Sequence, residues 1–228
     1  MTENKPGELY IVATPIGNLG DVTLRALEVL KMVDWILAED TRVIAKLLAR
    51  YEIKKSLKTF HEHSSVETFD WIKECLREGK SLALVSDAGT PGICDPGGKL
   101  VAFVRENLPE AKIIPLPGAS TLTTALSVAG ISADQFVFLG YPPHKKGRKT
   151  FFEKMAEQKI RPIVFYESCH RFSKALASLK ENFPASQKIF VGREITKFYE
   201  DFFSGTIVEA EEYFVGKKLK GEFVIVVE

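Results

Sequence analysis

Three cysteines in 228 residues, Cys75, Cys94 and Cys169, are too few, too scattered and odd in number for a disulfide framework, which points to a reducing compartment. Charge of one sign is missing as well. The 31 basic and 30 acidic residues cancel to a net charge of +1, so any nucleic-acid contact must come from local basic patches. No apolar run approaches the roughly 18 residues that cross a bilayer. The polar start MTENKPGE, with Pro6 and Gly7, does not read as a secretory signal, and a soluble, cytoplasmic protein is expected. Nucleotide fingerprints are absent too. There is no G-x-x-x-x-G-K-[ST] run, which excludes a P-loop. Gly17 and Gly20 follow the first apolar run and Glu39 stands where a ribose-binding acid would. Yet G-x-G-x-x-G is not formed and Pro15 occupies the turn, which argues against a nicotinamide dehydrogenase. His61-Glu62-His63 lacks the H-E-x-x-H spacing and has no cysteine pair nearby, so no metal site is expected.

What the chain does have is the segment 86–97, SDAGTPGICDPG. It follows the short apolar run Leu82-Ala-Leu-Val85, which reads as a buried strand. Two prolines and three glycines then exclude both helix and strand, leaving a long shaped loop at a strand end. In an open α/β sheet ligands bind there, and long structureless loops in compact domains are usually functional.

Hydrophobic residues make up 45% of the chain, enough for one large or two small cores. The pattern predicts strands over 9–13, 35–38, 82–85 and 113–116, alternating with helices over 21–33, 41–51, 64–79 and 99–107. Leu24, Leu27 and Leu30 mark one face of the first helix, and Ser64 with Glu67 forms a capping box for the third. This βαβα series implies a parallel sheet covered by helices on both faces. At Pro117-Gly118 the character changes, which places a boundary between an N-terminal α/β domain, 1–117, and a C-terminal one, 118–228. The second half predicts helices over 120–130, 150–157, 170–182 and 208–214, and strands over 136–139, 162–166, 189–193, 198–203 and 223–227. Two of those strands follow one another without a helix, so the second sheet is expected to be mixed. Phe151, Phe152, Phe165, Phe172, Phe183, Phe190 and Phe198 read as core.

Four further segments stand at strand ends: Thr14-Pro-Ile-Gly-Asn-Leu-Gly-Asp21, Glu39-Asp-Thr-Arg42, Pro117-Gly-Ala-Ser-Thr121 and Tyr166-Glu-Ser-Cys-His-Arg171. Gly192-Arg-Glu-Ile-Thr-Lys197 and Lys220-Gly-Glu222 follow. In this order, from about Leu9 to Val227, they resemble the tetrapyrrole-methylase-like (class III) family of S-adenosylmethionine-dependent methyltransferases. Within it the resemblance is to the branch acting on small-subunit ribosomal RNA. The resemblance implies two α/β domains with the cofactor in the cleft between them, a homodimer, and methyl transfer to the ribose 2′-OH of a cytidine in the decoding region. The family's cofactor contacts map onto Pro15, Asp87, Ala88, Gly89, Thr90, Ile93, Ser120, Thr121 and Tyr166. Cys94 stands where relatives have Ser, Cys169 where they have Pro, and Thr121 where a small Ala is common. The chain stops at Glu228, whereas many relatives carry a further small helical region; where that region grips RNA, weaker RNA affinity is expected here. Same-fold alternatives methylate a tetrapyrrole ring or a modified histidine of a protein, and a protein that binds cofactor and RNA without turnover also fits.

A ribose hydroxyl is a poor nucleophile and gains from a general base, and in-line positioning supplies much of the rate. Glu39, Asp40, Glu194 and Lys197 are the candidates. Each has an ion-pair alternative, Glu39 or Asp40 with Arg42 and Glu194 with Arg193 or Lys197, and the residues alone leave the choice open. Asp87 is read as a ligand residue and Asp95 as structural. Arg42, Lys46 and Arg50 recur on one helix face, with Val43, Ile44, Leu47 and Leu48 on the core side. Lys145, Lys146 and Arg148 cluster after Pro142-Pro143. With RNA as substrate, both basic groups become phosphate contacts.

Overall fold

The computed structural model describes residues 5–228; the first four residues of the polar start lie outside the described residues. The chain forms two compact units that divide between Ser120 and Thr121. Among the described residues no helix is long and apolar enough to cross a membrane.

The first unit is a five-stranded parallel sheet. Its strands are β1 (Glu8–Val12), β2 (Trp35–Ala38), β3 (Ser56–Thr59), β4 (Leu82–Val85) and β5 (Lys112–Leu116), ordered β3-β2-β4-β1-β5. Strand residues alternate between two cores. Tyr10, Val12, Ile36, Ala83 and Val85 face helices α1 (Leu24–Met32) and α2 (Thr41–Arg50). Leu9, Leu37, Leu82 and Leu84 face α3 (Val66–Arg77) and α4 (Gly97–Asn107). All four residues of β4 are buried, as a central strand covered on both faces must be.

Three local expectations need correction. Helix α1 starts at Leu24, not at 21, because Thr23 caps it by accepting from the Ala26 amide at 3.1 Å. That phase buries Ala26, Val29 and Leu30 and leaves Leu24 80% exposed, so the leucine spacing misplaced the face. The Ser64–Glu67 capping box does not form. Ser65 is the N-cap of α3, and the Ser64 hydroxyl instead accepts from the His61 amide at 2.9 Å. Strand β3, with the polar sequence SLKT, carried no apolar alternation; it forms as the edge strand, paired to β2 from Trp35–Ser56 to Ala38–Thr59.

The second unit begins with α5 (Thr121–Val128), which packs against β10. Its sheet runs β6-β7-β10-β8-β9, from β6 (Val137–Phe138), β7 (Ile163–Ser168), β8 (Lys188–Arg193), β9 (Asp201–Thr206) and β10 (Glu222–Val227). Only β6 and β7 pair in parallel, so the sheet is mixed. Helices α6 (Arg148–Ala156), α7 (Phe172–Asn182) and α8 (Ile207–Phe214) cover one face. There Phe172 stacks on Phe223 at 4.0 Å, with Phe214 edge-on to both. A capping box does form at Thr206 with Glu209, and it opens α8. Of the phenylalanines read as core, Phe152, Phe165, Phe172, Phe183 and Phe190 are buried and Phe151 is partly buried, but Phe198 is 92% exposed. It precedes β9, which starts at Asp201 rather than at 198.

Candidate functional site

The first unit's loops meet at the carboxyl ends of β1, β4 and β5. Neighbouring strands β1 and β4 send their following helices to opposite faces of the sheet, which makes their junction the topological switch point where ligands bind. The loops there are knitted together. Thr14, only 4% exposed, donates its hydroxyl to the Ser86 carbonyl at 2.9 Å. The Thr14 and Gly89 backbones exchange hydrogen bonds of 2.9 and 3.1 Å. The Thr90 hydroxyl donates to the Ala119 carbonyl at 3.2 Å. Gly89 adopts φ +81°, and a Cβ there would press on Ile16 at 3.2 Å and on the Ala119 carbonyl at 3.4 Å. Only glycine lets the three loops close in this way.

A small cleft at this junction, of about 40 Å³, is lined by the apolar Pro15, Leu19, Val43, Ile44 and Leu47 together with Thr14, Ser86 and Asp87. Ala88 and Ile93 are exposed on the same long loop, and Ser120 ends the unit. Asp95 staples that loop by accepting from the Gly92 and Gly97 amides at 2.6 and 2.8 Å. Asp87 remains exposed and accepts from the Asp40 amide at 3.1 Å, which ties the β4 loop to the start of α2.

The four general-base candidates separate. Asp40 caps α2 and pairs with Arg42 at 2.6 Å, and hydrogen bonds from Arg42 hold its carboxyl down at about 2. Such a carboxylate is a weak base. Glu194 accepts from the Lys197 ammonium at 2.8 Å and from the Glu222 amide at 3.2 Å, so both members of that pair serve loop structure. Glu39 is exposed and has no ion-pair partner among the described residues. Its pKa is raised, first by partial desolvation and then by the negative charges of Asp87, Asp95 and Glu62, with His61 opposing. That direction makes it a better base near neutrality.

The basic groups separate as well. Arg42, Lys46 and Arg50 lie exposed on α2, with Ile44, Leu47 and Leu48 buried opposite. Lys145 and Lys146 are exposed, but Arg148 is not part of their patch. Its guanidinium lies 2.9 Å from the fully buried Glu167, whose other oxygen is 2.8 Å from Arg171. The two arginines also donate to the Pro143 and Pro142 carbonyls at 3.4 and 3.1 Å. A charge run in sequence could not reveal this, because the buried acid that recruits Arg148 comes nineteen positions later. Tyr166, on β7, sits among aromatic rings, 4.9 Å from Phe138 and 5.4 Å from Tyr141. Thr121 opens α5 in the same unit. No cluster of three or more His, Cys, Asp or Glu able to hold a metal occurs among the described residues.

The profile of the tetrapyrrole (corrin/porphyrin) methylases matches residues 8–211. The chain is 46% identical over 223 residues to a Neisseria meningitidis protein named ribosomal RNA small subunit methyltransferase I, covering 96% of this chain and 75% of that one. A Thermotoga maritima protein of the same name is 43% identical over 220 residues, covering 96% of this chain and 97% of that one. The fold is similar to uroporphyrin-III C-methyltransferase from Thermus thermophilus complexed with S-adenosyl homocysteine, with a TM-score of 0.65 at 16% identity over 97% of this chain and 98% of that one. A profile match that spans both units, together with relatives above 40% identity over nearly the whole chain, settles the family. The chain belongs to the tetrapyrrole (corrin/porphyrin) methylase family, alongside the proteins named ribosomal RNA small subunit methyltransferase I.

Proposed function

We propose that this chain transfers the methyl group of S-adenosylmethionine to the ribose 2′-OH of a cytidine in small-subunit ribosomal RNA. The observation that carries the reading is the switch point: a largely apolar cleft, glycine-tight loops, and neighbouring carboxylates whose negative charge adds to partial desolvation in raising the pKa of Glu39. A ligand that presents a sulfonium and an ammonium relieves that repulsion, whereas a pyrophosphate adds to it. The S-adenosyl homocysteine bound by the Thermus neighbour supports the cofactor, and the names of the relatives support small-subunit ribosomal RNA as the substrate class.

Pro15, Asp87, Ala88, Gly89, Thr90, Ile93, Ser120, Thr121 and Tyr166 would hold the cofactor, which when bound supplies an electrophilic methyl group. The chain's own contribution is positional. The hydrogen bonds from Thr14 and Thr90 fix the loops, and Asp87 offers a carboxylate to a cationic or hydroxyl group. Glu39 takes the proton from the ribose hydroxyl as the methyl is transferred. Lys46, Arg50, Lys145 and Lys146 hold RNA phosphates.

The test is transfer of labelled methyl from S-adenosylmethionine to small ribosomal subunits that lack the modification, with the product nucleoside identified. Label in 2′-O-methylcytidine is expected. Tight cofactor binding with no label in RNA overturns the substrate assignment and moves it to a tetrapyrrole or a protein.

A further inference from the structure

The segment between β8 and β9 is built to display two aromatic rings. Phe198 is 92% and Tyr199 68% exposed, and they meet edge to face at 5.0 Å. Such exposure is unfavourable for a free surface unless a partner uses it. The segment is nevertheless held firmly. Glu194 and Thr196 adopt left-handed φ of 49° and 66°. The Glu194 carboxylate accepts from Lys197 and from the Glu222 amide, and Glu200 accepts from the Thr196 amide at 2.6 Å. Ile195 anchors the base at 5% exposure. Gly221, at φ +82°, leaves the space that the Glu194 carboxylate fills. Beside the rings lies a groove of about 410 Å³ lined by Arg193, Glu194, Tyr199, Lys218 and Lys220. Arg193 holds the far wall by donating to the Lys220 and Lys218 carbonyls at 3.1 and 3.4 Å, which leaves the two lysine side chains exposed.

We infer that this groove binds an unpaired stretch of RNA, with a base stacked on Tyr199 or Phe198 and the adjoining phosphates on Lys218 and Lys220. An aromatic platform flanked by cations is the arrangement that grips single strands without reading sequence. Complementary charge favours this occupant over a second copy of the chain, because lysine is depleted in protein–protein interfaces, whereas two exposed lysines beside the rings suit phosphates. The inference rests on the RNA reading above and adds a contact surface in the second unit whose lining does not include Lys145 or Lys146.

The experiment measures binding of the full chain to a fluorescein-labelled, unstructured, uridine-rich oligoribonucleotide across a salt series, and KM for small subunits in the methyl-transfer assay. Phe198→Ala with Tyr199→Ala is expected to weaken oligonucleotide binding about tenfold. Lys218→Ala with Lys220→Ala is expected to flatten the plot of log affinity against log salt by about 1.4. Phe198→Trp, which keeps a stacking face, retains affinity. KM for small subunits rises in both double variants while kcat stays near wild type. Unchanged affinity and slope in both double variants overturn the inference. So does a change in sedimentation with unaltered RNA binding, which would assign the rings to a second copy. A wild-type chain that neither binds the oligonucleotide nor labels small subunits removes the RNA reading itself; normal wild-type activity matched by the variants removes only this groove.

Discussion

Glu39 and Asp40 are neighbours with opposite electrostatic fates, and the difference assigns their roles. Asp40 is held at about 2 by Arg42, whereas Glu39 is pushed upward by partial desolvation and by surrounding carboxylates. Glu39→Gln is therefore expected to lower kcat about a hundredfold with cofactor affinity kept, as measured by single-turnover methyl transfer. In the wild type the rate should rise with pH through a value above the ordinary carboxylate range, and in Glu39→Gln that limb should vanish. The stability consequence has its own sign. An acid whose pKa is raised by folding binds its proton more tightly in the native state, so stability falls as pH rises from the ordinary range through the raised value. Urea unfolding at neutral pH should accordingly find Glu39→Gln no less stable than wild type. Asp40→Asn keeps a capping oxygen and should retain most activity, which separates the two acids. Glu167 stands apart from the chemistry. It is fully buried between Arg148 and Arg171, and Glu167→Ala leaves two largely buried guanidinium groups without their counter-charge. A loss of about 3 kcal/mol in urea unfolding is expected.

The elements of the site are strand ends and the turns that follow them. At the turn of Gly89 three loops converge, and its backbone pairs with Thr14. Gly89→Ala forces a side chain into φ +81° and against Ile16, so the loops must part. Calorimetry with S-adenosyl homocysteine should show about tenfold weaker binding, with strands β1 and β4 and their core unaffected. Helix α2 shows how much of the site was legible in sequence. The alternation of Arg42, Lys46 and Arg50 with Ile44, Leu47 and Leu48 predicted its buried and exposed faces, because a helix obeys a single period. Helix α1 shows the limit. Its leucines obey the same period, but the cap at Thr23 sets the phase and leaves Leu24 in solvent. Edge strand β3 was invisible for a related reason: one strand neighbour and a half-exposed surface impose no hydrophobic alternation.

At the scale of the molecule, a net charge of +1 leaves no long-range field to attract RNA, so affinity must be assembled from local patches. Their members now differ from a simple count of basic residues. Lys145→Ala with Lys146→Ala should weaken binding to small subunits and make its salt dependence shallower, with the unfolding midpoint unchanged. Arg148→Ala should do the reverse, lowering the unfolding midpoint because the fully buried Glu167 keeps only Arg171 as counter-charge. A salt-dependent loss of RNA affinity in Arg148→Ala at wild-type stability would contradict this division.

The sequence by itself determined the alternation of strands and helices apart from edge strand β3, the parallel first sheet, the mixed second sheet and the motifs that carry the family. These follow from local period, turn residues and composition, which act over a few positions. Tertiary structure alone decided which charges remain available. The ion pair of Arg148 with Glu167, the approach of Asp87 to the Asp40 amide, the crowding of carboxylates around Glu39 and the display of Phe198 and Tyr199 depend on partners brought together only by folding. Charge interactions depend on distance in space and on desolvation, and neither quantity is written along the chain.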